Sequence, residues 1–308
     1  MDDLSKFDRM MVALDLSEMD EHVLKYASMV VKTFGISTVY FIHITSSFDL
    51  PEEMQEKYGD MMAPIDETLE KELEDSIAQH FTCQDKCKIK INAYTGKVTE
   101  EILKLSKIKL IDLTLLGRKS TLSGTGLNAK KIAKSTPSSV IFVTENPPLQ
   151  LEKVLVSIDY SEHSKMAFEI GIGIQKKTGA KLFSNHVYRV PSGYHKTGKD
   201  YDEFAEIMLE NTKKECKKFF ESMDVENIDY ENTYALDDDP HPADKIYKTG
   251  VDIGADLILL GSKGRSAFAS ILIGSVAEKL VTEGNNIPIF LIKKNKENFS
   301  FIEALLNV

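Results

Sequence analysis

Three cysteines in 308 residues cannot build a disulfide framework, and such sparse thiols fit a reducing cytoplasm. His80, Cys83 and Cys87 stand close together, yet no second pair follows at tetrahedral spacing. Ordinary free thiols are therefore a better reading than a metal site. No apolar run approaches the roughly 18–20 residues of a membrane helix, which argues against membrane insertion. The opening residues Met1-Asp-Asp-Leu-Ser-Lys6 lack the basic-then-apolar order of a secretory signal. Together these features predict a cytoplasmic protein.

Basic excess is missing as well. Up to Asn146 there are 18 basic against 23 acidic residues, and beyond it 20 against 25, for a net charge of −10. Neither half is suited to non-specific nucleic-acid binding or to an anionic membrane surface. The familiar catalytic signatures are also lacking: no Gly-x-Ser-x-Gly, no His-Glu-x-x-His and no Cys-x-x-Cys.

What the sequence does contain is one unit written twice. Met11-Val-Ala-Leu-Asp15-Leu-Ser17-Glu18 returns as Leu155-Val-Ser-Ile-Asp159-Tyr-Ser161-Glu162. Asp112-Leu-Thr-Leu-Leu-Gly117 returns at the same spacing as Asp256-Leu-Ile-Leu-Leu-Gly261, and Val39–His43 matches Leu182–His186 with a one-residue slip. This pattern is a tandem duplication rather than a solenoid. The two prolines of Asn146-Pro-Pro-Leu-Gln-Leu-Glu152 supply no N–H for continued pairing and mark a connector. The predicted boundaries are 1–146 and 153–294 for the two domains, 147–152 for the linker and 295–308 for a tail.

In the first copy the patterns predict strands over 9–14, 36–44, 88–94, 110–116 and 140–143. Helices are predicted over 18–34, 65–81, 99–108 and 128–135. The second copy repeats this order, with strands near 154–158, 181–187, 229–234, 257–260 and 287–292. Strands alternating with helices imply an α/β fold: two doubly wound domains, each a five-stranded parallel sheet flanked by helices. Ligands of such sheets sit beyond the carboxyl ends of the strands, where the strand order reverses. Asp159 and Gly261 both fall at such ends and can face one crevice.

The stretch from Gly261 to Ser275 is the strongest functional signal. It follows a buried apolar strand and leads into a helix, with glycines at 261, 264 and 274 and cations at Lys263 and Arg265. Loop N–H groups and a helix N-terminus favour an anion. Ser275 can offer its hydroxyl to a phosphate or act as a helix cap. The spacing Gly261-x2-Gly264-x9-Gly274-Ser275 resembles the nucleotide loop of the universal stress protein family in its ATP-binding branch. The second copy also carries Asp239-Pro-His-Pro-Ala-Asp-Lys-Ile246, which is similar to the family's segment before the third helix.

That resemblance covers both copies. It implies an adenine nucleotide alpha hydrolase-like, Rossmann-like fold and a site for ATP, AMP or ADP in the second domain, with Mg²⁺ or Mn²⁺. Ser157, Ile158 and Asp159 would line the adenine and ribose, and Val187 would meet the base through its backbone. Leu260 and Gly261 would floor the ribose, while Gly264, Gly274, Ser275 and Val276 would hold the phosphates. A carboxylate suits ribose hydroxyls, and backbone N–H groups with a hydroxyl suit phosphate; Asp159 taken alone is better read as a cap or turn residue before a helix, and the loop tips it to the binding role. The resemblance further implies a stress-response role and a pseudo-dimer of the two copies through their last strands, which would otherwise be apolar edges. A homodimer and an unidentified regulatory protein partner belong to the same expectation.

The first copy departs from the pattern. Between Gly117 and Gly126 its loop is four residues shorter, Ser120 replaces the second glycine and Leu127 the phosphate-facing serine. Asp15 remains, and Arg118, Lys119 and the Gly124-Thr-Gly126 turn keep the elements of an anion nest. The reading is a copy that has lost or changed its ligand, so no nucleotide is expected there. Gly193-Tyr-His-Lys-Thr-Gly198-Lys199-Asp200 nearly spells a P-loop, but Asp200 would repel phosphate where Ser or Thr should hold Mg²⁺.

No group in the second loop is an obvious base for activating water, so chemistry is expected to be absent or slow. His43 and His186 read as structural, and His241 lies in a loop that can overhang the crevice. The sequence thus predicts a regulatory nucleotide binder. A slow ATPase or autokinase and a nucleotide-free scaffold are the alternatives. Residues 299–306 of the tail carry an apolar helical face with no evident docking partner.

Overall fold

The computed structural model describes residues 7–46, 65–118, 125–223, 225, 227–239, 241–264, 273–283 and 286–294. Lys119, Ser120, Gly124, Arg265 and the tail, all singled out by the sequence, lie outside these residues, as do the side chains of residues 125–128. The chain divides into two compact units at Leu149 and Gln150.

The first unit runs β1 (Arg9–Leu14), α1 (Met19–Phe34), β2 (Thr38–Thr45), α2 (Ile65–His80), β3 (Lys88–Thr95), α3 (Val98–Ile108), β4 (Leu113–Gly117), α4 (Thr125–Ser135) and β5 (Ser139–Val143). Its sheet order is β3-β2-β1-β4-β5 with parallel pairings throughout. The second unit runs β6 (Lys153–Ser157), α5 (Glu162–Thr178), β7 (Lys181–Tyr188), α6 (Tyr201–Glu221), β8 (Tyr230–Leu236), α7 (Pro242–Ile253), β9 (Leu257–Gly261), α8 (Ser275–Thr282) and β10 (Ile289–Ile292). Its order, β8-β7-β6-β9-β10, repeats the first and is likewise parallel. The strand order therefore reverses between β1 and β4, and again between β6 and β9.

Local sequence explains the element ends. Gly35 closes α1 at φ 69°, donating its N–H to the Val31 carbonyl at 2.9 Å, a left-handed cap that glycine adopts without a Cβ penalty. Gly179 ends α5 in the same way at φ 76°. In β4 and β9 the four residues before the glycine are buried, as expected of strands covered on both faces. Strand β4 begins at Leu113, three residues later than the pattern suggested, because Leu110 turns at φ 53° and the Asp112 side chain serves another strand. Helix α4 starts at Thr125, three residues ahead of its predicted start.

Each unit ties its two central strands together with one aspartate. Asp112 Oδ2 accepts the N–H groups of Asp8 at 3.0 Å and Arg9 at 2.9 Å. Asp256 Oδ2 accepts those of Glu152 at 2.7 Å and Lys153 at 2.9 Å. Cations at the same position complete the frame: Arg9 Nη1 reaches the Lys109 carbonyl and Lys153 Nζ the Ile253 carbonyl. These bonds sit at the amino ends of the strands, away from the crevice, and hold the sheet rather than a ligand.

Candidate functional site

In the second unit the carboxyl ends of β6 and β9 open into a cavity of about 620 Å³. All ten residues singled out by the sequence line it: Ser157, Ile158, Asp159, Val187, Leu260, Gly261, Gly264, Gly274, Ser275 and Val276. Sequence reasoning missed several others on the wall, among them Ser164, His186, Ile246 and Glu278. Ser164 and Ile246 follow from helical periodicity once α5 and α7 are placed over the sheet. Glu278 is one turn beyond Ser275 and carried no motif of its own.

The β6 end is built by backbone and ring contacts. Ile158 N donates to the Asn185 carbonyl at 2.8 Å, and His186 Nδ1 lies 2.8 Å from the Ile158 carbonyl. Tyr160 takes φ 65°, an unusual conformation for a residue with a side chain. Its ring stacks on His186 at 4.3 Å and its hydroxyl donates to the Thr212 carbonyl at 3.2 Å. This turn throws Asp159 toward the loop. Asp159 Oδ1 accepts from Ser161 N at 3.1 Å and Ser161 Oγ at 2.6 Å, and Ser161 in turn caps α5 by accepting from Ser164 N.

The three glycines have different reasons to be glycine. A Cβ at Gly261 would lie 2.6 Å from His163 Cβ and 2.8 Å from its carbonyl carbon, so helix–strand packing forbids it. A Cβ at Gly264 would lie 2.6 Å from Asp159 Oδ2, so that glycine makes room for the carboxylate. Among the described residues, a Cβ at Gly274 would meet Ser262 O at 3.7 Å and Gly264 N at 3.8 Å, ordinary contacts. No described residue thus requires glycine at 274. Gly274 lies beside Gly264 although ten residues separate them, held by its N–H on the Ser262 carbonyl at 2.8 Å.

Gly274 is also the residue before α8, extended at φ −71° and ψ 152°, and it has no side chain of its own with which to cap the helix. The N–H groups of the first helical turn lack intrahelical acceptors, and Ser275, Val276 and Ala277 all line the cavity. Lys263 adds a cation to the wall. Just after β10, burial pushes the pKa of Lys293 down to about 7, with the Lys263 charge adding repulsion. A convergent set of N–H donors, a hydroxyl and a lysine can hold an anion, and Asp159 opposite them can accept from hydroxyls.

The other sequence candidates fall elsewhere. His241 precedes α7 as its capping residue, half-exposed, with Nε2 3.9 Å from Asp239 Oδ1; the cavity wall is Pro242 instead. Residues Tyr194–Thr197 of the P-loop look-alike form a single 3₁₀ turn, and Asp200 caps α6 in a reciprocal bond with Glu203. Cys83 and Cys87 are thiols that donate to the Ser28 and Cys83 carbonyls. No cluster of three metal-ligating side chains occurs among the described residues.

The matching place in the first unit is different in size and charge. Its pocket is about 170 Å³, lined by Asp15 and Asp20 and otherwise by apolar residues and Gly117. Asp20 stands where the second unit has Ser164. It is buried, and its carboxylate accepts Asp15 N at 3.1 Å and Leu16 N at 2.8 Å. Burial, with the Asp15 charge beside it, raises its pKa to about 6.

The profile of the Universal stress protein family matches residues 6–144 and again residues 150–290. The chain belongs to that family. It is a tandem member, each match spanning one of the two units. A universal stress protein of Thermus aquaticus is 27% identical over 140 residues, which are 46% of this chain and 97% of that protein. One from Bacillus subtilis is 29% identical over 149 residues, 46% of this chain and 98% of that protein. Among solved structures, a universal stress protein from Archaeoglobus fulgidus aligns over 96% of this chain and 99% of its own, with TM-score 0.61 and 20% identity. That last likeness is one of fold, and it extends over both domains. No helix among the described residues is long and apolar enough to cross a membrane.

Proposed function

We propose that the second domain binds an adenine nucleotide and that the protein acts as a regulatory nucleotide-binding module in a stress response. The observation that carries this is the convergence of ten sequence-selected positions on one cavity at the sheet's reversal point. Phosphates lie against the N-terminal turn of α8, taking N–H bonds from Ser275 and Val276 and the Ser275 hydroxyl, with Gly264 and Gly274 admitting close approach. Asp159 receives the ribose hydroxyls. The base rests among Ser157, Ile158, Val187 and Leu260, above Gly261. A divalent cation, Mg²⁺ or Mn²⁺, accompanies a polyphosphate here, offsetting its repulsion by the Asp159 and Glu278 carboxylates. The chemistry of the donor set fits the group: N–H donors, a hydroxyl and a lysine at one end, a carboxylate at the other.

The test is direct. Purified protein is denatured, and any small molecule released is identified with its stoichiometry; titration with ATP, ADP and AMP, each with and without Mg²⁺, follows by calorimetry. One nucleotide per chain, lost in Gly274→Val, is the expected result. Absence of binding by all three nucleotides would leave an interaction scaffold as the better reading. Release of ADP or gain of a phosphate on the chain would make the site an enzyme's.

A further inference from the structure

The two domains make the same turn after their first strands and hold it in different ways. In each, a residue other than glycine takes the left-handed region, Leu16 at φ 57° and Tyr160 at φ 65°. An L side chain is strained there, so the surrounding structure must hold the conformation. In the first domain Asp20 supplies the hold: its carboxylate accepts Asp15 N at 3.1 Å and Leu16 N at 2.8 Å. Ser164 stands at that place in the second domain, and its hydroxyl donates to the Ser161 carbonyl at 2.9 Å instead.

The second domain anchors its turn through the Tyr160 side chain. The ring lies on His186, with 4.3 Å between centroids and 16° between planes, and meets Phe219 of α6 at 5.5 Å. The hydroxyl donates to the Thr212 carbonyl at 3.2 Å, also on α6. Helix α6 can take part because it packs on β7, the strand next to β6. In the first domain α2 packs chiefly on the outer strand β3, and Leu16 has no hydroxyl to offer a helix.

The residue before Tyr160 needs this precision. Asp159 Oδ1 accepts from Ser161 N at 3.1 Å and Ser161 Oγ at 2.6 Å, and Oδ2 lies 2.6 Å from where a Cβ on Gly264 would be. The carboxylate has little room, and a small rotation of the turn drives it against Gly264 or away from it. Among the described residues Tyr160 is not part of the cavity wall, whereas Asp159 is.

We propose that Tyr160 is a positioning residue: by tying the turn to α6 it sets the Asp159 carboxylate where it reads the ribose hydroxyls of a bound nucleotide. This role rests on the nucleotide reading of the second domain, and it acts through Asp159 rather than by contact with the ligand. Occupancy of the ribose site is thereby felt at α6.

Calorimetry on the full chain with ATP and with 2′-deoxy-ATP, each with Mg²⁺, reads the effect as the ratio of two affinities. The unchanged chain should prefer ATP by about tenfold, and Tyr160→Phe, which keeps the ring and loses the hydroxyl, should reduce that preference to about threefold. Tyr160→Leu, which installs the first domain's residue type, should leave almost none. A role confined to stability would lower both affinities in proportion and keep the ratio. Amide hydrogen exchange supplies a second reading that does not need the leucine variant to fold: ATP should slow exchange over residues 212–219 in the unchanged chain and do so less in Tyr160→Phe. A ribose preference or an ATP-dependent protection of 212–219 that Tyr160→Phe retains in full overturns the proposal. Equal affinity of the unchanged chain for ATP and 2′-deoxy-ATP overturns it too and leaves nucleotide binding standing. Failure of the unchanged chain to bind any adenine nucleotide removes both.

Discussion

The two domains share a frame and differ in what the frame holds. In each, a histidine at the end of the second strand lies against the last carbonyl of the first: His43 Nδ1 at 3.0 Å from Leu14 O, and His186 Nδ1 at 2.8 Å from Ile158 O. In each an aspartate follows, then a left-handed residue, Leu16 at φ 57° and Tyr160 at φ 65°. The turn that presents Asp15 or Asp159 is therefore common property. A ligand-sized cavity of about 620 Å³ exists only where the described residues also bring Gly264, Gly274 and the open end of α8 to that turn; its counterpart is about 170 Å³. Because the frame persists without the large cavity, the frame does not depend on ligand. Duplication left one copy free to change at a few loop and helix positions without loss of fold.

The comparison is sharpest at Gly117 and Gly261, and the largest effect is expected there. A Cβ at Gly261 strikes His163 backbone, whereas at Gly117 it strikes Met19 Cγ at 2.6 Å, part of a flexible side chain. Overpacking costs about 1–3 kcal/mol and sometimes more. Gly261→Ala should thus destabilise by about 3 kcal/mol or above, and Gly117→Ala by about 1 kcal/mol. Denaturant unfolding of the full chain, followed by a probe in each domain, reads both. Equal losses would mean that α1 and α5 do not pack against their strands as described.

Next in size is the pH dependence contributed by Asp20. Its folded-state pKa is raised to about 6 from the usual 3.8, so between those values the folded chain holds a proton that the unfolded chain releases. The stabilising contribution is full below about pH 4 and is lost as pH rises through 6. The rise from 3.8 to about 6 corresponds to about 3 kcal/mol at most. Asp20→Ser, which installs the second domain's residue type, should flatten the first domain's stability profile between pH 4 and 6. An unaltered slope would remove Asp20 as its source. The second domain, with Ser164 at that place, should lack this component in either protein.

At the proposed nucleotide site the effects are smaller. Ser275→Ala removes one hydroxyl donor and should weaken nucleotide binding by about tenfold, or 1.4 kcal/mol. Gly264→Ala should act through Asp159 instead, pushing the carboxylate aside and reducing discrimination against a 2′-deoxyribose. Calorimetry with ATP and 2′-deoxy-ATP separates the two. If Gly264→Ala lowers both affinities equally, Asp159 does not read the ribose.

Much of this arrangement is legible in the sequence. The duplication and the alternation of strands with helices come from apolar runs and glycine spacing, which are local signals, while the ten cavity positions are implied by the resemblance to the universal stress protein family. What was not legible needed distance in space. Nothing in the sequence shows that Gly261 is fixed by His163 and Gly264 by the Asp159 carboxylate, because the deciding atoms belong to another segment. Nor does Asp20 announce itself: a carboxylate in the first turn of a helix looks like an ordinary dipole-favoured residue. Its burial appears only when α1 is laid over β1. Strand β4 begins late because the Asp112 side chain binds the backbone of β1, a tertiary bond that local pattern does not carry.

The smallest effect is expected at the residue whose sequence context drew most attention to it as an acid–base group. His241 stands between prolines at the mouth of the second domain, but Pro242 and Ile246 form the wall there. The His241 backbone N–H donates to Asp237 Oδ1 at 3.1 Å, and its ring lies near Asp239 in solvent. Such an exposed pair contributes little, typically below about 1 kcal/mol. Its capping position does not depend on the side chain either, since no side-chain cap bond is made. His241→Ala should therefore leave nucleotide affinity within about twofold, or 0.4 kcal/mol, and leave stability nearly unchanged. A loss of tenfold or more would mean that the segment 237–241 folds over the bound nucleotide, and the cavity's ligand contacts would then extend beyond the ten positions that the sequence marked.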